Sequence, residues 1–220
     1  MESLFPGYPA GDTFQFERML RTRGFTSIAG ADEAGRGPLA GPVVGAAVIL
    51  PHDCDYTPFC DSKQTTEKQR YRLRDLMHRI DAKIGTGVVS VETIDSINIL
   101  QASLLAMKLA VDALVETAAE PDFILVDGNR QLPLPTPQEA LVKGDSRSAS
   151  IGAASIIAKI LRDELMGELH KRHPAYNFIG HKGYPTAEHR RIIREIGPSS
   201  AHRRSFKGVR EFVGSANRYR

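Results

Sequence analysis

The 220-residue sequence has no tryptophan, only two cysteines and few aromatic residues of any kind, 7% in all. Cys54 and Cys60 are too few for a disulfide framework and sit in no metal-ligand spacing, so both read as free thiols in a reducing compartment. No apolar run approaches the roughly 20 residues that a membrane helix needs. The longest extends from Val43 to Leu50, and the N-terminus lacks a basic-then-apolar secretory pattern, so a cytoplasmic protein is expected. A strong charge of one sign is missing too, since 29 Lys+Arg against 26 Asp+Glu leave only +3. That balance hides an asymmetry: residues 170–220 hold 12 basic and 3 acidic residues, against 17 and 23 in residues 1–169. On charge alone, a solvated helix face with a basic tail fits this as well as a surface for a polyanion.

What the chain does have is an unusual stretch, Ile28-Ala29-Gly30-Ala31-Asp32-Glu33-Ala34-Gly35-Arg36-Gly37-Pro38-Leu39-Ala40-Gly41-Pro42. Adjacent carboxylates pack poorly but can hold a divalent cation, and an arginine between glycines can approach a phosphate closely. The pairing points to metal-dependent chemistry on a phosphate ester. Asp127 and Asp145 have a related setting, each after a short apolar run and beside a glycine, where a strand leaves a core. By itself Asp127-Gly128 is also what a plain turn after a strand looks like. Together with Asp32 and Glu33 these acids carry four negative charges, which two Mg²⁺ or Mn²⁺ ions would neutralise. Without metal at least one should have a raised pKa. The oxygen donors, with no clustered Cys or His, argue against zinc. One difficulty is geometric, because neighbours on a regular strand face opposite ways; a break or twist is expected at Asp32-Glu33, eased by Ala34, Gly35 and Gly37.

Periodicity places β-strands around 28–34, 43–50 and 83–91, with an antiparallel start and a polar helix around 66–81. Leu100, Leu104, Met107, Val111 and Leu114 predict a long amphipathic helix from Ile97 to before Pro121. Phe123–Val126 and Ala140–Val142 read as short buried strands. Ile151, Ala154, Ala158, Leu161 and Leu165 mark a second helix, and a last helix is expected around 186–196. We expect an N-terminal arm over 1–27, a catalytic domain over 28–200 and a helical, basic C-terminal extension over 201–220. Pattern alone gives the α/β class.

The stretch from Ile28 to Pro42 resembles the signature of ribonuclease HII, a family that cuts the RNA strand of RNA–DNA duplexes. Asp61-Ser62-Lys63, Ile94-Asp95-Ser96-Ile97-Asn98-Ile99-Leu100-Gln101-Ala102-Ser103, Val126-Asp127-Gly128-Asn129-Arg130, Lys143-Gly144-Asp145, Ala153-Ala154-Ser155-Ile156-Ile157-Ala158-Lys159 and His181-Lys182-Gly183-Tyr184 resemble that family in its order. The resemblance covers roughly residues 28 to 206. It implies a ribonuclease H-like mixed five-stranded sheet flanked by helices, a monomer, and a role in ribonucleotide removal during DNA replication and repair. It makes Asp32, Glu33, Asp127 and Asp145 the catalytic metal-site acids for two Mg²⁺ or Mn²⁺ ions. The implied reaction nicks 5′ of ribonucleotides in duplex DNA and leaves 5′-phosphate and 3′-hydroxyl ends.

The same resemblance assigns Gly35, Arg36 and Gly37 to the junction of ribonucleotide and deoxyribonucleotide; arginine stands where the sister family ribonuclease HIII has lysine. Tyr184, beside Lys182, could stack on a sugar or base and sense the 2′-hydroxyl. Pro185 follows where the family commonly has glycine. Lys63, Asn98 and Lys143 are further candidates for substrate contact, with helix capping or surface solvation as the plainer alternative. Arg162-Asp163 reads as a salt-bridged pair, and His181, His189 and His202 as phosphate-side or structural groups. Gln131-Leu132-Pro133-Leu134 faintly resembles peptides that dock on sliding clamps, but two prolines between strands explain it more simply. A hybrid-binding protein without catalysis, or a DNA-only nuclease of the same fold, would be the alternatives.

Overall fold

A computed structural model describes residues 12–59, 65–117 and 119–214. Lys63 and Cys60, with the Asp61-Ser62-Lys63 motif, lie outside the described residues. Five strands form one mixed sheet: β1 (Ile28–Ala34), β2 (Val43–Ile49), β3 (Lys83–Val89), β4 (Phe123–Asp127) and β5 (Gln138–Leu141), in the order β3-β2-β1-β4-β5. The first three run antiparallel as a meander, and β4 and β5 join β1 in parallel. Val142, expected inside the last strand, lies just beyond it and is 60% exposed. As the edge strand, β5 buries only Leu141, so the expected fully buried strand is half-covered.

Among the described residues seven α-helices surround the sheet: α1 (Gln15–Thr22), α2 (Glu67–Arg79), α3 (Val91–Ile97), α4 (Ile99–Glu116), α5 (Ala149–Arg172), α6 (Phe178–His181) and α7 (Ala187–Ile196). None among the described residues is long and apolar enough to cross a membrane. The third strand stops at Val89 because Ser90 caps α3, its hydroxyl accepting the Thr93 N–H at 3.3 Å. Asn98, on positive φ, then separates α3 from α4 and caps α4 through Leu100 N–H at 3.0 Å and Gln101 N–H at 3.2 Å.

Helices α4 and α5 cover opposite faces of the sheet. On the α4 face, Met107, Val111 and Leu114 meet Ala29, Ala31, Ala47, Ile124 and Val126. The helix also lies on a shallow trough made by the cross-strand pair Gly45 and Gly87, where a Cβ on either would overlap the backbone of Ala106. Small residues on both sides bring the axes close, so Ala102, Ala106 and Ala110 are wholly buried while Leu100 and Leu104 are half-buried. On the other face Gly30 admits the backbone of Ser150 and Ile151 of α5. Farther along α5 the buried side chains are Arg162 and Met166, not the expected Leu161 and Leu165, since this half packs on the loop after β1. Helix α1 is bound to the same core by Phe16 and Leu20. Its buried Glu17 accepts from the Ser148 hydroxyl (2.6 Å) and the Ser150 N–H (3.1 Å) at the start of α5, and burial raises its pKa.

Helices α6 and α7 and the chain after them bury three histidines among Tyr176 and Phe178. The carbonyl of Tyr184 accepts from Nδ1 of His189 at 2.9 Å, which leaves Nε2 of His189 to accept from Nε2 of His202 at 3.0 Å. Nδ1 of His202 in turn accepts the Ser199 N–H at 3.0 Å. Burial holds His189 down to about 4 and His202 to about 3. Of the two readings for these histidines, the structure gives the structural one.

Two expectations follow. A Gly87→Ala change forces a Cβ onto the Ala106 carbonyl and should cost about 1–3 kcal/mol, read as a lower urea midpoint at unchanged slope; an unchanged midpoint would mean that α4 does not sit in the trough. The second concerns acid. His189 and His202 stay neutral in the fold and protonate in the unfolded chain near pH 6.5, so their stability contribution is present above that pH and declines as pH falls toward 4, by up to about 1.4 kcal/mol per unit for each ring. Raised carboxyl groups such as Glu17 act in the opposite sense. Urea midpoints between pH 7 and 5 should therefore fall less steeply in His202→Asn than in the parent; equal slopes would contradict the assignment.

Candidate active site

Strands β1 and β4 run parallel with Ala31 opposite Val126, so the next residues outward on each, Asp32 and Asp127, stand side by side where the pairing of the two strands ends. Loops at the C-terminal ends of parallel strands, where the chain departs in opposite directions, are the usual place for a ligand crevice. Asp32 is 5% exposed, and its carboxyl is pushed well up by burial, then by the charges of Glu33 and Asp127. A hydrogen bond with Ser155 of α5 and the Glu33 N–H at 2.7 Å counter this in part. Burial raises Glu33 as well, against the Arg36 guanidinium 3.2 Å from its Oε1.

The expected break between Asp32 and Glu33 is not there: β1 stays paired with β2 as far as Ala34 opposite Val44. The chain turns one residue later, at Gly35, whose φ is +102°. Pairing with β4 ends earlier, at Ala31, and beyond it Glu33 lines a cleft shared with Ser155 and Lys159 of α5. The two neighbours thus serve one region because the strand end is free on one side.

Asp127 accepts the Gly144 N–H on Oδ1 at 2.7 Å, joining the end of β4 to the short turn that carries Asp145. Lys143 precedes it in a left-handed conformation with its side chain exposed, and Asp145 itself is buried just ahead of α5. Asp32, Glu33 and Asp127 therefore feel one another's charge, and Asp145 sits on the adjoining turn. Among the described residues, no three His, Cys, Asp or Glu side chains are drawn together at metal-holding spacing.

The loop from Gly35 to Pro42 is held by two buried guanidinium groups. Arg203 donates from Nη2 to the carbonyls of Gly35 (2.5 Å) and Pro42 (3.2 Å), from Nη1 to those of Arg36 and Pro38 (both 2.9 Å), and from Nε to that of Gly41 (3.0 Å). Burial and the nearby charge of Arg162 lower its pKa to about 9. Arg162 donates to the carbonyls of Pro42, Ala40 and Lys182. It makes no ion pair with Asp163, contrary to the expectation; on a helix the two residues point apart, and Asp163 instead meets Arg70 and Lys159. Gly35 is needed here because a Cβ would strike the Arg162 side chain. The glycine therefore serves packing, while Arg36, with half its side chain exposed, faces outward.

Tyr184, 44% exposed, lies near Gly37 and 5.9 Å from the Arg162 guanidinium. Its loop is fixed by the Leu39 N–H donating to Gly183 (2.8 Å) and by His181, whose Nδ1 accepts the Gly183 N–H at 3.1 Å. Lys182 is half-buried on left-handed backbone. Asn98 has its side-chain oxygen engaged as the cap of α4. The clamp-like segment is a tethered loop: Leu132 is buried and the Gln138 side chain bonds Leu132 N (2.6 Å) and the Leu134 carbonyl (3.1 Å).

Glu33, Gly35 and Tyr184 share a cleft of about 280 Å³ with Ser155, Lys159, Arg162 and Arg70. Sequence reasoning assigned no role at the site to these four or to Arg203. The available signal was the polar series 155, 159 and 162, at steps of four and three in the otherwise apolar stretch from Ile151 to Arg162.

The model of the family Ribonuclease HII matches residues 29–209. The chain is 55% identical over 202 residues to the ribonuclease HII of Desulfotalea psychrophila, covering 92% of this chain and 90% of that one. It is 48% identical to the ribonuclease HII of Syntrophotalea carbinolica, over 97% of this chain and all of the other. Among solved structures, the ribonuclease H2 of Pyrococcus horikoshii matches at 25% identity with a TM-score of 0.70, over 87% of this chain and 99% of that one. With Asp32, Glu33 and Asp127 within reach of one another's charge and the family model matched over most of its length, the chain belongs to the ribonuclease HII family and is a ribonuclease H, an endonuclease that hydrolyses phosphodiester bonds.

Proposed function

We propose that the protein cuts the RNA strand of RNA–DNA hybrids and nicks duplex DNA immediately 5′ of an embedded ribonucleotide, leaving 5′-phosphate and 3′-hydroxyl ends. The observation that carries this reading is Asp32 and Asp127, each the residue just beyond the last registered pair of β1 and β4, beside a loop locked by Arg203. Asp32, Glu33, Asp127 and Asp145 would hold two Mg²⁺ or Mn²⁺ ions. The donor set fits such ions, being all carboxylate oxygen, and burial with the charges of Glu33 and Asp127 leaves Asp32 in need of positive charge. Bound divalent ions would activate a water and stabilise the leaving oxygen.

The chain's own residues supply the rest. Arg36 would leave Glu33 for a phosphate at the junction, since a phosphodiester offers the guanidinium the same charge-assisted bonds. Tyr184, exposed beside Gly37, can lay its ring against the sugar and distinguish a 2′-hydroxyl from hydrogen. Lys182 and Lys143 flank the site and favour the polyanion without reading its sequence. Lys63, from its motif, and Asn98, whose amide nitrogen is left for the task, complete the proposed contacts.

A duplex carrying one ribonucleotide should be nicked 5′ of it with Mg²⁺ or Mn²⁺, with no cutting in chelator or of all-DNA duplex; cleavage of long hybrids alone would overturn the junction reading. Asp127→Asn should lower kcat by at least about 10²-fold while hybrid affinity stays within a few-fold, because it removes a charge needed for metal and not for the duplex. Near-normal turnover in that variant would refute the acid assignment.

A further inference from the structure

The wall of the cleft formed by α2 and α5 has more positive charge than the fold uses. Lys159 Nζ lies 2.6 Å from Oδ1 of Asp163 and Arg70 Nη2 lies 3.4 Å from its Oδ2, so two cations share one carboxylate. Arg162, the residue before Asp163, adds a third cation, which among the described residues is bonded to carbonyls alone. At the other end of the cleft Glu33 is already countered by Arg36. Two donors are also left over: among the described residues neither Nε of Arg70 nor Nη1 of Arg162 finds an acceptor, although both atoms are buried and Arg162 is 0% exposed. A buried donor without a partner costs about 1–3 kcal/mol, so a triad built only to join the two helices would be expected to close on itself. This one instead borders open space, with a third of the Lys159 side chain exposed.

Positive charge concentrated in a concave, low-dielectric wall focuses the field on an anion. The anion class that reaches a cleft beside the acids and Tyr184 is a backbone phosphate of the duplex. We propose that Arg70 and Lys159 form a phosphate site that grips the substrate backbone next to the phosphate being cut, with Asp163 as the internal counter-charge that sets how tightly it holds. The proposal rests on the substrate reading given above. It differs from a purely structural triad in the sign of one effect: removing the Asp163 charge should strengthen nucleic-acid binding, because a cation is released to the phosphate.

The test is the affinity of the full chain for a fluorescent RNA–DNA hybrid in chelator, measured by anisotropy across KCl concentrations, beside steady-state cleavage with Mg²⁺. Lys159→Gln should weaken binding roughly tenfold near 0.1 M salt and flatten the plot of log affinity against log salt by about one. It should raise KM more than it lowers kcat, and Lys159→Arg should restore both. Asp163→Asn should bind more tightly than the parent. A Lys159→Gln protein with the parent's melting temperature and an unchanged salt slope would overturn the proposal, as would an Asp163→Asn protein that binds no more tightly. If the parent neither binds nor cuts the hybrid, the substrate reading fails instead, and the two failures are distinguishable.

Discussion

The arrangement of the site depends on burying two guanidinium groups with carbonyls, and no carboxylate, in hydrogen-bond contact. Desolvating an arginine is costly, and only a nearly complete set of acceptors offsets it. Arg203 finds five carbonyls between Gly35 and Pro42, and each bond to a charged donor contributes about 1.5–3 kcal/mol. The loop has little choice of conformation once the cation is inside. Its shape, and with it the position of Arg36 beside Glu33, is dictated by a side chain in another part of the sequence. Lysine could not replace it, because one ammonium group has three donors and no planar fork.

Charge is divided by depth at this end of the sheet. Acids occupy the strand ends and the turn before α5, and burial, ahead of the neighbouring charges, raises the pKa of Asp32 and Glu33. Arginines lie behind the loop that follows β1, turned toward carbonyls. The cations that face the cleft are thus few, and their excess over Asp163 is a property of a small volume. The net charge of +3 gives no hint of it.

Much of the fold was legible because its signals are local. Alternating and continuous apolar runs marked all five strands, and the four acids stood out through their glycine-flanked positions. The boundary errors also have local causes: Ser90 and Asn98 are caps, and a cap ends one element while starting another. What the sequence hid depends on distance. Leucine spacing suggested which face of α4 is buried, yet alanines lie deepest because the glycines opposite are on other strands. Arg162 and Asp163 looked like partners in sequence, but helical geometry sends one into the core and the other to α2. Arg203, one of seven basic residues between 190 and 210, carries no mark of its burial.

The clamp on the loop also orders events in time. Arg203 lies 168 residues after Gly35, the nearest carbonyl it holds. During synthesis the first strand and its two acids leave the ribosome long before the side chain that will shape the loop beside them. The β-bridge between Ala40 and His202, and the bonds from Asp95 to Arg204 and Ser205, wait for the same segment. A nascent chain can therefore assemble its sheet while the loop beside the acids is still without shape, and that loop acquires its geometry only once synthesis has passed Arg203.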